Sequence, residues 1–176
     1  MPFQEKQVEA DGFSIRYWEA GQGRPVVMLD RTGYRGTLLH DALADQYRVI
    51  SMELPGTGDS PANVVSKTVG DLAGTIAKAA DAITTERYTL IGTSFGAHVA
   101  LWQAIQAPDQ VEALILVSST AIHPQEVPAG ASCDDVHKLM FAHAENAGKH
   151  VPLSDEIFAK ESELMSRLTL GVNDSD

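Results

Sequence analysis

The sequence predicts an α/β fold, with a mostly parallel sheet of about six strands, an antiparallel N-terminal hairpin and helices on both faces. Two alternating stretches near the N-terminus are separated by an Asp-Gly pair, which tight hairpin turns favour. Further along, short apolar runs alternate with amphipathic segments, the order of parallel strands joined by crossover helices. The 176 residues are 44% apolar and 21% charged, which is the composition of one globular core.

The elements follow in order along the chain. The segment "KQVEADGFSIRYWEA" predicts two strands joined by a turn at Asp11-Gly12. A third, continuously apolar strand is predicted from Pro25 to Leu29. "GTLLHDALADQ" predicts a surface helix that carries His40, and "YRVISMEL" predicts a strand. "TVGDLAGTIAKAADAI" predicts a helix with one apolar face, followed by the strand "RYTLIG". "FGAHVALWQAIQAP" predicts a helix that ends near Pro108, and "EALILVSS" a strand buried on both faces.

The pattern changes beyond Thr120, where turn residues precede two helix-like segments, Asp135 to Ala147 and Asp155 to Leu170. Their apolar residues are enough to lie on another surface but suggest no core of their own. We therefore predict two units, an α/β core over residues 1–120 and a helical cap or lid over residues 121–176.

The charge and the N-terminus exclude several partners. The formal charge is -11, with only 13 Lys and Arg in the whole chain, whereas nucleic-acid binding needs clustered cations. An anionic membrane surface is disfavoured for the same reason. The N-terminus lacks a basic stretch followed by an apolar run, and no apolar window approaches the length of a membrane span. We expect a soluble cytoplasmic protein without a nucleic-acid or membrane partner.

The sequence indicates no metal site. Cys133 is the single cysteine, so it can form no disulfide within the chain and has no partner at zinc-ligand spacing. His137 and His143 are spaced so that they would not share a helix face. Glycine-containing segments such as "GTGDS" lack the pattern that binds phosphates.

The segment Gly92-Thr93-Ser94-Phe95-Gly96 has the Gly-x-Ser-x-Gly form, with a predicted strand before it and a predicted helix after it. Small residues on both sides allow a sharp, strained turn at the serine. The start of the following helix supplies N–H groups and a positive dipole end, which suit an oxyanion. The motif predicts Ser94 as a nucleophile; the alternative is a serine in an ordinary strand-to-helix connection.

Three segments, "YRVISMELPGTGDS", "LIGTSFGAHVALWQA" and "VEALILVSSTA", occur in the order found in the α/β-hydrolase-fold superfamily, and the chain resembles its serine-nucleophile branch over residues 5–122. The resemblance implies that Ser94 is the nucleophile and that the backbone N–H groups of Phe95 and Thr32 form the oxyanion hole. It implies no cofactor. A serine at this turn argues against the dehalogenase and epoxide hydrolase relatives, which carry an aspartate there.

The loop after the third strand departs from the family pattern. Asp30 and Arg31 stand where relatives usually carry His-Gly, and a side chain in place of glycine narrows the allowed backbone dihedrals. Arg31 either pairs with Asp30 as a local salt bridge, which we favour, or directs a cation at an acidic substrate.

The triad acid and base are missing from their usual places. In the family they follow strands that come after the cap, and no strand-like run follows Thr120. We therefore expect this chain to be a truncated or nicked part of a longer hydrolase. His123 and Glu126, close after the sixth strand, are the two candidate substitutes; His98, one helical turn after Ser94, is a weaker candidate base.

Two hypotheses remain open. In the first, the parent protein is a serine hydrolase that acts on an ester, a lactone or a C–C bond next to a carbonyl, and this chain alone is inactive or very weak. Its small-molecule substrate has an apolar part if Leu139 and Phe158 line a pocket, although docking of the cap explains the same residues. In the second, the chain is a non-catalytic binding or scaffold protein that keeps the hydrolase core and self-associates through an exposed sheet edge.

Overall fold

The computed structural model describes residues 2–30, 33–56 and 66–119, together with Ala121 and His143. Across these residues the chain forms six strands and three helices, in the order β1 (Gln4–Ala10), β2 (Phe13–Ala20), β3 (Pro25–Leu29), α1 (Leu38–Ala44), β4 (Arg48–Met52), α2 (Val69–Ile83), β5 (Tyr88–Thr93), α3 (Phe95–Gln106) and β6 (Val111–Val117). The predicted order of strands and helices is confirmed. The predicted cap, residues 121–176, lies outside the described residues apart from Ala121 and His143.

The N-terminal hairpin forms at the predicted turn. β1 and β2 are antiparallel, from the pair Gln4 and Glu19 to the pair Ala10 and Phe13. Asp11 and Gly12 both have positive φ, 49° and 80°, as a two-residue type I′ turn requires.

The tip of this hairpin is fixed to α2. The carboxylate of Asp11 accepts hydrogen bonds from Thr75 Oγ1 at 2.9 Å and from Lys78 Nζ at 2.7 Å. These contacts join the edge hairpin to α2.

The six strands form one mixed sheet in the order β1-β2-β4-β3-β5-β6. β2 pairs with both β1 and β4 in the antiparallel sense, whereas the β3–β4, β3–β5 and β5–β6 pairs are parallel. β3 and β5 are adjacent and in register, with Leu29 opposite Gly92 at their carboxyl ends. The loop after β3 and the turn after β5 therefore leave the same edge of the sheet side by side.

The apolar face predicted for α2 is confirmed. Val69, Leu72 and Ile76 are fully buried in the larger core, which also takes in residues of α3 and of the sheet. A smaller core contains Ala44 of α1 and residues of β3, β4 and β5. The sheet is thus covered by helices on both faces.

α2 begins with a capping box that the sequence analysis did not identify. Asp71 N donates to Thr68 Oγ1 at 3.0 Å, and Thr68 N donates to Asp71 Oδ2 at 3.1 Å. Hydrogen bonds from the backbone N–H groups of Lys67 and Thr68 lower the pKa of Asp71. The Thr-x-x-Asp spacing before an apolar run was the available signal.

The prediction that β6 is buried on both faces is wrong. Ile115 and Val117 are 46% and 45% exposed, whereas Leu114 and Leu116 pack against the larger core. β6 is the last strand of the described sheet, and α1, on the face of the smaller core, packs on β4. An apolar strand at that position keeps one face uncovered by the described residues.

Candidate active site

Ser94 occupies the turn between β5 and α3 in a strained backbone conformation. Its φ is 53° and its ψ is -122°, a combination that non-glycine residues rarely adopt and that costs about 1–3 kcal/mol. Ser94 N donates to Val117 O at 2.9 Å, and Ala97 N donates to Ser94 O at 3.1 Å. The turn is therefore held from the end of β6 and from the first turn of α3.

The close approach predicted at the two motif glycines is confirmed. A Cβ added to Gly92 would lie 2.5 Å from Ala97 Cα, and a Cβ added to Gly96 would lie 2.2 Å from Leu29 O and 3.0 Å from Asp30 N. These neighbours are backbone atoms, which cannot rotate away. Glycine is therefore required at Gly92 for the end of β5 to pass close to the first turn of α3, and at Gly96 for this Gly92–Gly96 turn, the elbow, to lie against the end of β3.

One of the two predicted oxyanion donors lies in the described part of the chain. Phe95 is the first residue of α3, and N–H groups in the first turn of a helix have no acceptor within that helix. The other, Thr32, lies outside the described residues, as does Arg31. The proposed salt bridge between Arg31 and Asp30 is therefore not tested.

Asp30 makes a contact that the sequence analysis missed. Its Oδ2 accepts a hydrogen bond from Thr93 Oγ1 at 2.5 Å. Leu29 and Gly92 are opposite each other in the β3–β5 pair, so the residues that follow them are neighbours. The signal was therefore the parallel register of two strands, which no local pattern contains.

The turn after β3 is supported on its other side by a buried ion pair. Gly33 N donates to Asp30 O at 3.3 Å, and Gly33 has a φ of 72°. A Cβ on Gly33 would lie 2.6 Å from Glu53 Cγ. Glu53 is 3% exposed, and its carboxylate accepts hydrogen bonds from Arg16 Nη2 at 3.0 Å and from Arg16 Nε at 3.2 Å.

His40 is buried, so its prediction as part of a surface helix is wrong for this residue. The residue is 4% exposed, with Nδ1 at 2.7 Å from Thr37 Oγ1 and Nε2 at 3.2 Å from Ser51 Oγ. Tyr34 contacts the ring edge-on, with ring centroids 5.1 Å apart. α1 has seven residues, too few for its inward side to be read from periodicity.

Burial lowers the pKa of His40, and the charges of Asp30 and Asp41 oppose that shift without cancelling it. The reason is that the low-dielectric surroundings disfavour the imidazolium form. Burial thus favours the neutral form of His40, a hydrogen-bonded residue of the interior near Asp30.

The remaining candidate bases are placed only in part. His98 is buried in α3, and its ring lies edge-on to Phe95 with centroids 6.2 Å apart. His123 and Glu126, the two candidate substitutes for the triad base and acid, lie outside the described residues. The described structure thus brings together Asp30, Thr93, Ser94 and Phe95.

In residues 2–30, 33–56 and 66–119, with Ala121 and His143, no group of three or more His, Cys, Asp or Glu is arranged to hold a metal ion. None of the helices in this part of the chain combines the length and the apolar character needed to span a bilayer.

A mixed sheet in which one strand, paired with a parallel strand on each side, ends in a Gly-x-Ser-x-Gly turn with a helix directly after it is the core of the α/β-hydrolase fold. The chain belongs to that family, since the family model for the alpha/beta hydrolase fold matches residues 30–137.

Curated relatives come from more than one activity class. The chain is 29% identical over 167 residues to the dihydrolipoyllysine-residue acetyltransferase component of the acetoin cleaving system of Cupriavidus necator. This alignment covers 92% of this chain and 42% of that protein. The chain is also 38% identical over 111 residues to the pimeloyl-[acyl-carrier protein] methyl ester esterase of Aeromonas hydrophila. This second alignment covers 61% of this chain and 42% of that protein. The chain spans less than half the length of both relatives.

Among solved structures, Cfl2 from Burkholderia cenocepacia matches with a TM-score of 0.63 and 24% identity, over 92% of this chain and 55% of that one. At this identity the likeness shows the fold alone.

Proposed function

We propose that the protein is a serine hydrolase of the α/β-hydrolase fold with Ser94 as its nucleophile. The observation that carries this proposal is the strained backbone of Ser94, with φ at 53°, between two glycines whose added Cβ atoms would strike backbone. Strain at a partly exposed serine is retained where it serves chemistry, because it costs stability. Membership of a family with a curated esterase supports the same assignment.

In the proposed reaction, Ser94 Oγ attacks the carbonyl carbon of the substrate and its proton passes to a base. The carbonyl oxygen becomes an oxyanion, to which the N–H groups of Phe95 and Thr32 donate. The oxyanion then collapses, the leaving group departs with a proton, and water hydrolyses the acyl-serine.

The base in this reaction is a further part of the proposal. His123, oriented by Glu126, is the candidate that the sequence offers. If neither these residues nor His98 fills the role, Ser94 has no base within these 176 residues, and the rate falls by several orders of magnitude to what the oxyanion hole and substrate binding supply.

The substrate class that we favour is an ester of a small molecule. Support comes from the relative from Aeromonas hydrophila, which is named as a methyl ester esterase. Lactones and C–C bonds next to a carbonyl need the same attack at a carbonyl carbon. An apolar part of the substrate and a cytoplasmic location stay predictions from the sequence.

A non-catalytic binding or scaffold protein is the second candidate function. It is favoured by the exposed side chains of Ile115 and Val117 on β6, because an apolar strand at a sheet edge can pair with a second copy of the chain. Sedimentation of the wild type and of Ile115→Lys tests this: self-association that persists in the variant contradicts it.

The enzyme assignment is tested with an alkyl fluorophosphonate, which phosphonylates activated serines. We expect intact mass and peptide mapping to find one adduct, on the peptide that contains Ser94. Ser94→Ala should abolish the adduct, whereas Ser119→Ala, which removes a partly exposed serine just after β6, should retain it. A folded wild type that takes up no label contradicts Ser94 as an activated nucleophile in this chain and favours the scaffold protein.

A further inference from the structure

The end of β3 is tied to the elbow by one side-chain hydrogen bond. Thr93 Oγ1 donates to Asp30 Oδ2 at 2.5 Å, between two partly buried residues that are 63 positions apart. Thr93 directly precedes Ser94. The bond therefore fixes the loop after β3 to the residue next to the proposed nucleophile.

Backbone contact on the other side of Ser94 completes this junction. Gly96 lies so close to the end of β3 that an added Cβ would be 2.2 Å from Leu29 O. The chain leaving β3 thus touches the elbow two residues after Ser94 and is hydrogen-bonded to it one residue before. Ser94 lies between these two contacts.

The far end of the same turn is also held. Gly33 N donates to Asp30 O, and Gly33 packs on the aliphatic part of Glu53, whose carboxylate is paired with Arg16. Of the two anchors, only the bond between Asp30 and Thr93 runs directly to the elbow. The Gly33 contact runs to β4 and β2.

We propose that Asp30 is a positioning residue, whose carboxylate holds the loop after β3 in register with the elbow by accepting the Thr93 hydrogen bond. Its catalytic consequence rests on the proposed function, in which this loop supplies an oxyanion donor. Such donors act at about 2.7–3.1 Å from the oxyanion, and a displacement of about 1 Å can cost about a hundredfold in rate. This hydrogen bond between Asp30 and Thr93, the tether, needs an acceptor at position 30 rather than a negative charge.

The test uses variants that remove or keep this bond. Thr93→Val is close in shape to threonine but has no hydroxyl, and Asp30→Ala removes the acceptor; Thr93→Ser and Asp30→Asn are the matched controls that keep a donor and an acceptor. Two quantities are measured on the full chain: the second-order rate of fluorophosphonate labelling at Ser94, and amide hydrogen exchange in peptides covering residues 33–36 and 92–97.

We expect Thr93→Val and Asp30→Ala to lower the labelling rate by about tenfold or more and to raise exchange in both segments. Thr93→Ser and Asp30→Asn should keep the labelling rate within about threefold of that of the wild type. A protein that carries both Thr93→Val and Asp30→Ala should be labelled no more slowly than the slower of the two single variants, because both changes remove the same hydrogen bond. If Thr93→Val does not fold, Asp30→Ala tests the same hydrogen bond from its acceptor side.

The outcomes separate the tether from the proposed function. Faster exchange with an unchanged labelling rate overturns the positioning role, since the bond would then be structural only. Unchanged exchange and an unchanged rate overturn it as well. If the wild type takes up no label, the proposed function fails, and the tether is tested by hydrogen exchange alone. Faster exchange in Thr93→Val, with wild-type exchange in Thr93→Ser, supports the tether. Unchanged exchange in Thr93→Val overturns it.

Discussion

Arg16 makes one buried and one exposed ion pair with the same guanidinium group. Nη2 lies 3.0 Å from Oε1 of Glu53, which is 3% exposed, and Nη1 lies 3.5 Å from Oε1 of Glu5, whose side chain is 51% exposed. The guanidinium also lies 5.0 Å from the centre of the Trp18 ring. The two carboxylates therefore differ in burial while sharing a partner.

Glu53→Gln should destabilise the fold by about 3 kcal/mol, because it removes the buried counter-charge of a largely buried guanidinium and leaves only the exposed carboxylate of Glu5 beside it. Glu5→Gln, the matched control at the exposed side of the same cation, should change the free energy of unfolding by less than about 0.5 kcal/mol. Urea unfolding of the three proteins measures both values. Equal losses would show that burial does not govern this ion pair.

Gly96→Ala should destabilise the fold by about 1–3 kcal/mol or prevent folding, because the new Cβ meets Leu29 O and Asp30 N. Gly74→Ala is the control within α2, where a Cβ has only an ordinary contact at 3.6 Å with Gln106. It should stabilise the protein by about 0.5–1 kcal/mol through helix propensity. Thermal and urea unfolding check the two signs, and a neutral Gly96→Ala would contradict the close approach.

Tyr88→Phe should cost about 1–3 kcal/mol by breaking a buried chain of hydrogen bonds. Gln103 Nε2 donates to Tyr88 Oη at 2.7 Å, and Tyr88 Oη donates to Gln110 Oε1 at 3.0 Å. Tyr47→Phe, which removes a hydroxyl from a tyrosine that is 37% exposed, should change the free energy of unfolding by less than about 0.5 kcal/mol.

The same residue predicts a loss of stability in alkali. Desolvation raises the pKa of Tyr88 to about 12 from its ordinary 10.0, so the folded state binds a proton that the unfolded state releases between these values. The stability that Tyr88 contributes is present below pH 10 and is lost as the pH rises towards 12. Across this pH interval the free energy of unfolding should fall less steeply in Tyr88→Phe than in the wild type. The same pH dependence in both proteins would refute the raised pKa of Tyr88.

His40 predicts a loss of stability in mild acid. Burial lowers its pKa below the ordinary 6.5, so below that value the unfolded state binds a proton that the folded state does not. Its contribution is therefore present above pH 6.5 and is lost as the pH falls through the lowered pKa. Between about pH 8 and about pH 5, the wild type should lose more stability than His40→Gln, which has no titrating ring. An NMR titration that places the pKa of His40 above 6.5 would contradict this prediction.

Much of the fold could be predicted because its signals are local. The Asp11-Gly12 pair determines the hairpin turn through its positive φ values, and the apolar spacing of α2 determines which face is buried. The glycines on either side of Ser94 indicated the close approach that the structure contains. In each of these cases the residues that decide the geometry lie within a few positions of one another.

What only the tertiary structure decided are the contacts between residues far apart in the chain. Asp30 meets Thr93 because β3 and β5 are parallel neighbours, and Glu53 is buried because Arg16 of β2 lies beside it. Within the part of the chain that the structure describes, the exposed face of β6 follows from its place at the end of the strand order. Local propensity fixes strands, helices and turns, but strand order and register fix which side chains meet, and these depend on packing across the whole sheet.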